Sequence, residues 1–286
     1  MNTRNLTQDD TAQHGSDPGQ RMGSYAPSAL QRFLIGLARR TILHRGKFRH
    51  WMTNRIMGLG RPLDVTFRDC RFRIEGRNNL IEYGLLLHPG YNGAEIDFLL
   101  AGLPQGGTAV DIGCNIGLYS LPLARRAGPD GTVVSIDANA AMIDRITFNA
   151  SGSDLTNLAA VHTAVGDETG FVDLEIRKDD VAIVSVRKSD TGRVPIAPLA
   201  QVLAQAGVTQ VHALKIDIEG FEDAALVPYL DSATAAMRPD RIVIEHPERD
   251  ADYPGCAAAF ARHGYVLQGR TRANSLYLHT GDTETA

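Results

Sequence analysis

The sequence predicts an α/β fold in which parallel strands alternate with helices, and three observations carry that reading. Short apolar runs rich in β-branched residues recur at 108–112, 132–137 and 241–246, each followed by a turn and then more apolar residues. The first run stops at Gly113, and from Gly117 onward Leu118, Leu121 and Ala124 fall at helical spacing, which reads as strand, tight turn, helix. Polar residues gather where these runs end, as Asp137, Glu245 and His246 do. With 286 residues and 43% hydrophobic content the chain buries a substantial core, which suits one main domain and an N-terminal extension.

Residues 1–25 are polar and offer too little apolar surface to offset the entropy of ordering, so they read as a disordered tail. Residues 26–80 read as N-terminal helices and a hairpin. Leu30, Phe33, Leu34, Leu37, Ile42, Trp51, Ile56 and Met57 suggest two helices joined near Arg45 and Gly46, and the alternation of Val65, Phe67, Phe72 and Ile74 suggests a hairpin turning near Asp69 and Cys70. No acid lies between Asp17 and Asp64, although the whole chain has a net charge of −4. This basic segment reads either as a docking face for an anionic surface or acidic partner, or as helices with a solvated basic face.

The main domain is expected over 81–286. A His-Pro-Gly-Tyr-Asn-Gly loop precedes a helix starting near Ala94 that buries Ile96, Leu99 and Leu100. Gly128 to Gly131 mark a turn, and the strand Thr132–Asp137 closes on an acid. A carboxylate there can accept hydrogen bonds from both hydroxyls of a ribose. Asn139 caps the next helix and is also a candidate nucleoside contact. A third strand is expected over 159–165, ending at Gly166, with a hairpin-like stretch at 171–176; the stretch 177–193 has no clear period.

A further strand over 214–219 would place Lys215, Asp217 and Glu219 on one face and Ile216 and Ile218 on the other. Central parallel strands are usually apolar on both sides, so these charges must pair with one another or face a cleft. The run 241–246 repeats the design with Glu245 and His246 at its end, and 265–270 with 275–279 form a terminal strand pair turning at 272–274.

The turn does not follow the G-x-G-x-x-G dinucleotide fingerprint, because Asn115 and Leu118 stand where glycines belong. It reads D-x-G-x-N-x-G through Asp111, Gly113, Asn115 and Gly117, and about a hundred residues later comes K-I-D-I-E-G-F-E. Together, in this order, they resemble the motifs of FkbM-type methyltransferases over roughly 83–279. The resemblance implies a Rossmann-like class I methyltransferase fold: a seven-stranded, mostly parallel sheet with an antiparallel last strand, here with a basic helical N-terminal extension. It implies S-adenosyl-L-methionine as cofactor, held by Asp111, Gly113, Asn115, Gly117, Asp137 and Asn139, with the backbone at Val165 and Gly166 near the adenine. Tyr91 and Glu95 would line the site from a covering helix. Such enzymes usually carry a Leu-Asp pair opening the next helix, whereas Ala200 stands at that position here.

The implied reaction is methyl transfer to a hydroxyl of a small molecule, sugar, lipid or polyketide. His246 is the candidate base for an alcohol, with Asp217, Glu219 and Glu245 as the accompanying catalytic candidates. No metal is required in that reading. A Mg²⁺-dependent O-methyltransferase using Asp217 and Glu245, and a non-catalytic cofactor-binding module docking through its basic helices, are the alternatives. The charge gives no reason to expect nucleic acid. Cys70, Cys114 and Cys256 have no C-x-x-C spacing, no run approaches a membrane span and no signal-peptide core opens the chain, so the expected location is the cytosol.

Overall fold

A computed structural model of the chain describes residues 20–76, 79–176, 184–188, 192–248 and 251–281. In chain order the elements are α1 (Ala29–Arg39), α2 (Gly46–Gly58), β1 (Leu63–Phe67), β2 (Cys70–Ile74), α3 (Leu80–Leu87), α4 (Gly93–Gly102), β3 (Thr108–Ile112), α5 (Ser120–Ala127), β4 (Thr132–Asp137), α6 (Ala140–Gly152) and β5 (Leu158–His162). There follow β6 (Ala164–Gly166), β7 (Gly170–Ile176), β8 (Val184–Lys188), β9 (Val194–Pro198), α7 (Leu199–Gln205), β10 (Ala213–Ile216), α8 (Glu222–Ser232), β11 (Arg241–Glu245), α9 (Pro254–Arg262), β12 (Tyr265–Arg270) and β13 (Asn274–His279).

The main sheet has seven strands in the order β12-β13-β11-β10-β3-β4-β5. Neighbours run parallel from β11 through β5, and β13 is antiparallel to both β11 and β12. This is the expected class I methyltransferase sheet with its antiparallel last strand. Helices cover both faces. Ala109, Val133, Ala213 and Val243 face one core with α1 to α6, while Val110, Ile112, Val134, Ile136, Leu214, Ile216, Ile242 and Ile244 face the other with α7 to α9.

Strand alternation then sets the chemistry. The positions two residues beyond the first set are Asp111, Ser135, Lys215 and Glu245, so the polar groups share one face of the sheet near its carboxyl edge. Register places Lys215 directly beside Asp111, and Asp111 beside Ser135.

Three expectations need correction. The third strand is two: β5 ends at His162, Thr163 breaks the run, and β6 joins a separate four-stranded sheet of order β6-β9-β7-β8. The strand expected over 214–219 ends at Ile216, because the chain turns through Glu219 at φ 54°. α3, over Leu80–Leu87 and capped by Asn79, has no counterpart in the sequence reading. Residues 20–25, assigned by composition to the tail, are held: Asp64 accepts from the N–H groups of Gly23 and Tyr25, and Arg73 donates to the carbonyls of Gln20 and Arg21. The rest of the tail, 1–19, and parts of the aperiodic stretch (177–183 and 189–191) lie outside the described residues.

Candidate active site at the carboxyl ends of the strands

The turn after β3 is built from residues that tolerate left-handed backbone: Gly113 at φ 78°, Asn115 at 49° and Gly117 at 95°. A Cβ on Gly113 would lie 1.9 Å from the Asp217 carbonyl oxygen, so the β3 turn and the end of β10 touch here. One on Gly117 would strike Leu121 at 2.2 Å, which makes this glycine a packing requirement of the turn. Asn115 Oδ1 accepts from the Ile116 N–H and from Asn79 Nδ2, tying the turn to the cap of α3.

Asp137, at the end of β4, accepts from the Asn115 N–H on one oxygen (2.9 Å) and the Asn139 N–H on the other (2.8 Å). Burial raises its pKa against these two bonds. Each oxygen keeps a lone pair for a further donor. Asn139 itself caps α6 through the Ala141 N–H.

These elements enclose a cavity of about 440 Å³. Of the residues singled out in the sequence, Gly113, Asn115, Asp137, Val165, Asp217, Glu219 and Glu245 line it, as do Tyr91 and Glu95 from the loop and first turn of α4. Tyr91 packs flat against Gly84, where a Cβ would sit 2.5 Å from its ring. Glu95 is buried and accepts from Thr271 Oγ1 at 2.6 Å.

Asp111, Gly117, Asn139, Gly166 and His246 are absent from the wall. Asp111 lies beneath it, hydrogen-bonded to Ser120 Oγ, and burial raises its pKa to about 6. His246 is the main correction. It follows Glu245 by one residue on an extended strand end, so it falls on the opposite side of the sheet, buried, with both ring nitrogens lacking a hydrogen-bond partner among the described residues.

Lys215 is 1% exposed. Its Nζ donates to the Ile216 carbonyl at 2.9 Å, lies 3.3 Å from Asp217 Oδ2 and sits over the Tyr119 ring. Asp217 and Glu245 are hydrogen-bonded to each other. Burial and the Asp217 charge push the Glu245 pKa far above the usual carboxylate range; burial also acts on Asp217, but Lys215 and the bond from Glu245 outweigh it and hold Asp217 low. The pair thus shares a proton, with the directions of the two shifts favouring Glu245 as its holder. Asp217, Glu219 and Glu245 also each offer a carboxylate oxygen, all within 4.8 Å of one another. Glu222, the last acid of the motif, accepts from the Ile218 and Gly220 N–H groups and holds the loop in place.

Residues not singled out complete the wall: Arg49 from α2, Tyr119, whose hydroxyl accepts from Asn92 Nδ2, and Arg272 to Asn274 in the β12–β13 turn. Arg49 Nε is buried and makes no hydrogen bond among the described residues.

Among known proteins, the chain matches the family described as Methyltransferase FkbM domain over residues 111–267, just over half its length. It is 26% identical over 235 residues to AMB antimetabolite synthetase AmbE of Pseudomonas aeruginosa, a match covering 64% of this chain and 11% of that protein. It is 43% identical over 53 residues to the 23S rRNA (uracil(1939)-C(5))-methyltransferase RlmD of Acinetobacter baumannii, covering 18% of this chain and 12% of RlmD. The chain thus spans little more than a tenth of the length of these curated relatives. Among solved structures, a SAM dependent methyltransferase from Aquifex aeolicus aligns with a TM-score of 0.38 at 15% identity, over 65% of this chain and 87% of that one.

Proposed function

We propose, from the premise that this chain belongs to the methyltransferase FkbM family, that it binds S-adenosylmethionine and methylates a hydroxyl oxygen of a small-molecule, sugar, lipid or polyketide acceptor. The observation that carries this is the meeting, in one cavity, of a strand-terminal carboxylate with free lone pairs and a second, proton-sharing carboxylate pair.

The residues fit the cofactor. Asp137 would take the two ribose hydroxyls, Gly113 and Asn115 would carry backbone past it, and Ala164 and Val165 would lie along the adenine. When bound, S-adenosylmethionine supplies a sulfonium methyl that is already an activated electrophile. The protein then needs to align the acceptor and remove its proton. Asp217 is the base: it is ionised at neutral pH, faces the cavity and is oriented by Lys215 on one side and the Glu245 carboxyl on the other. Tyr91, Tyr119 and Glu95 form the wall against which the acceptor is positioned.

A metal-assisted variant is a second reading, supported by the convergence of Asp217, Glu219 and Glu245. In it Glu245 must give up its proton to serve as a ligand, and the Lys215 ammonium 3.3 Å from Asp217 competes with the cation. Calorimetry with S-adenosylmethionine and its demethylated product, followed by radiolabel transfer to a panel of hydroxylated acceptors with and without EDTA, tests both readings. Binding of NAD in place of S-adenosylmethionine would overturn them.

A further inference from the structure

Among the described residues, seven of the ten large apolar side chains left exposed fall between Leu30 and Leu59, so exposure is concentrated on one segment. On α1 they are Leu30, Phe33 (64% exposed) and Leu37, at i, i+3 and i+7; on α2 they are Phe48 and Trp51 (52% each), with Leu59 just past the helix end. Ile42, between the helices, is 66% exposed. The opposite sides of both helices are spent on the domain: Ile35 and Ala38 of α1 and Met52, Ile56 and Met57 of α2 belong to the main core. Each helix therefore carries two apolar stripes, one packed and one unpartnered.

The charge of the same segment narrows the partner. Nine Lys or Arg and no Asp or Glu lie between Asp17 and Asp64, in a chain of net charge −4. Arg55 sits over the Trp51 ring at 5.6 Å, and Arg32, Arg40, Arg45 and Arg61 are exposed beside the stripes. A second copy of this chain meeting face to face would bring two such basic segments together with no acid in either to pair with them. An interface of aromatic and aliphatic side chains among arginines, with no acid, suits an anionic bilayer. The rings enter the headgroup boundary while the guanidinium groups meet lipid phosphates.

We infer that α1, Ile42 and α2 form a docking face for anionic lipid bilayers, a peripheral membrane contact independent of the methyl-transfer reading. Arg49 ties the face to the cavity, because α2 presents Phe48 and Trp51 outward and Arg49 to the cavity wall.

Trp51 is the sole tryptophan of the chain, so it reports directly. The full-length protein should co-sediment with vesicles of phosphatidylcholine mixed with phosphatidylglycerol, and Trp51 emission should shift to the blue. Pure phosphatidylcholine vesicles should give neither response. Arg40→Gln and Arg55→Gln should each lower the partition coefficient about fivefold, and Phe33→Ala should weaken it further while leaving the melting temperature unchanged. Absence of co-sedimentation with anionic vesicles would overturn the inference. So would equal binding to both vesicle types, or a blue-shifted Trp51 in protein alone accompanied by a dimer in light scattering.

Discussion

Lys215 Nζ stands 3.3 Å from Asp217 Oδ2, joining a side chain that is almost wholly buried to one that lines the cavity. The two alternatives for Asp217, structural partner of a buried lysine or cleft residue, are thus one arrangement. Lys215 also keeps its bond to the Ile216 carbonyl and lies beside Asp111 on β3, so losing the Asp217 charge does not strand it. Asp217→Asn is expected to cost about 1–2 kcal/mol of stability, below the range for breaking an isolated buried pair. Methyl transfer is expected to fall by about a hundredfold or more. Urea unfolding measured beside turnover checks both, and near wild-type transfer would remove Asp217 from the chemistry.

Asp137 has two jobs that one substitution separates from the fold at large. Its carboxylate satisfies the Asn115 and Asn139 N–H groups and leaves lone pairs toward the cavity. Asp137→Ala is expected to weaken S-adenosylmethionine binding by about 1–3 kcal/mol through the unpaired ribose hydroxyls, read by calorimetry. Asp137→Asn keeps an acceptor oxygen and is expected to lose less.

The parts of the site that sequence exposed were those with short-range causes. A Gly-x-Asn-x-Gly turn demands left-handed backbone, and an acid closing a β-branched run marks a strand end, so the β3 turn and Asp137 were legible. The alternation that placed Asp217 toward a cleft applies equally to Glu245 and His246, and it excludes having both on one face. Other features had no local signal. In K-I-D-I-E the alternation continues past Ile216, although the strand stops there because Glu219 turns the chain. The run 159–165 looks uniform although Thr163 divides it between two sheets. Arg49 and Arg272 reach the same cavity from 223 residues apart, which only the fold reveals.

Asp111 predicts a pH dependence of stability. Its ordinary value is 3.8, and burial raises it to about 6 in the fold, against the Ser120 hydrogen bond and the Lys215 charge. Between those values the native state holds a proton that the unfolded chain has released, so this residue's contribution to stability falls as pH rises from about 4 to about 6 and stays low above that. The two-unit shift corresponds to about 3 kcal/mol. Asp111→Asn keeps an acceptor for Ser120 and removes the titration. Relative to wild type it is expected to gain stability between pH 4.5 and pH 7.5, measured by urea unfolding at both, and a constant difference would show that Asp111 titrates normally.

Glu245 decides between the proton-sharing and metal-assisted readings. Its raised pKa means that the native carboxyl stays protonated where an unfolded glutamate has ionised, so stability falls as pH rises from the ordinary glutamate range toward the native value. Glutamine mimics the protonated form, keeping a donor to Asp217 while removing the titration. If Asp217 is the base and Glu245 only orients it, Glu245→Gln should retain methyl transfer within about tenfold at pH 7, be insensitive to EDTA and lose the wild-type stability slope. If Asp217, Glu219 and Glu245 hold a divalent cation, the neutral amide is a poor ligand among oxygens that must offset two charges, and transfer should collapse along with cation binding measured by calorimetry. Because both outcomes compare one variant with wild type in the same buffers, a folding defect is recognised separately by its melting temperature. A retained rate that still vanishes in EDTA would keep Glu245 as the proton-holding partner and place the cation on Asp217 and Glu219 alone.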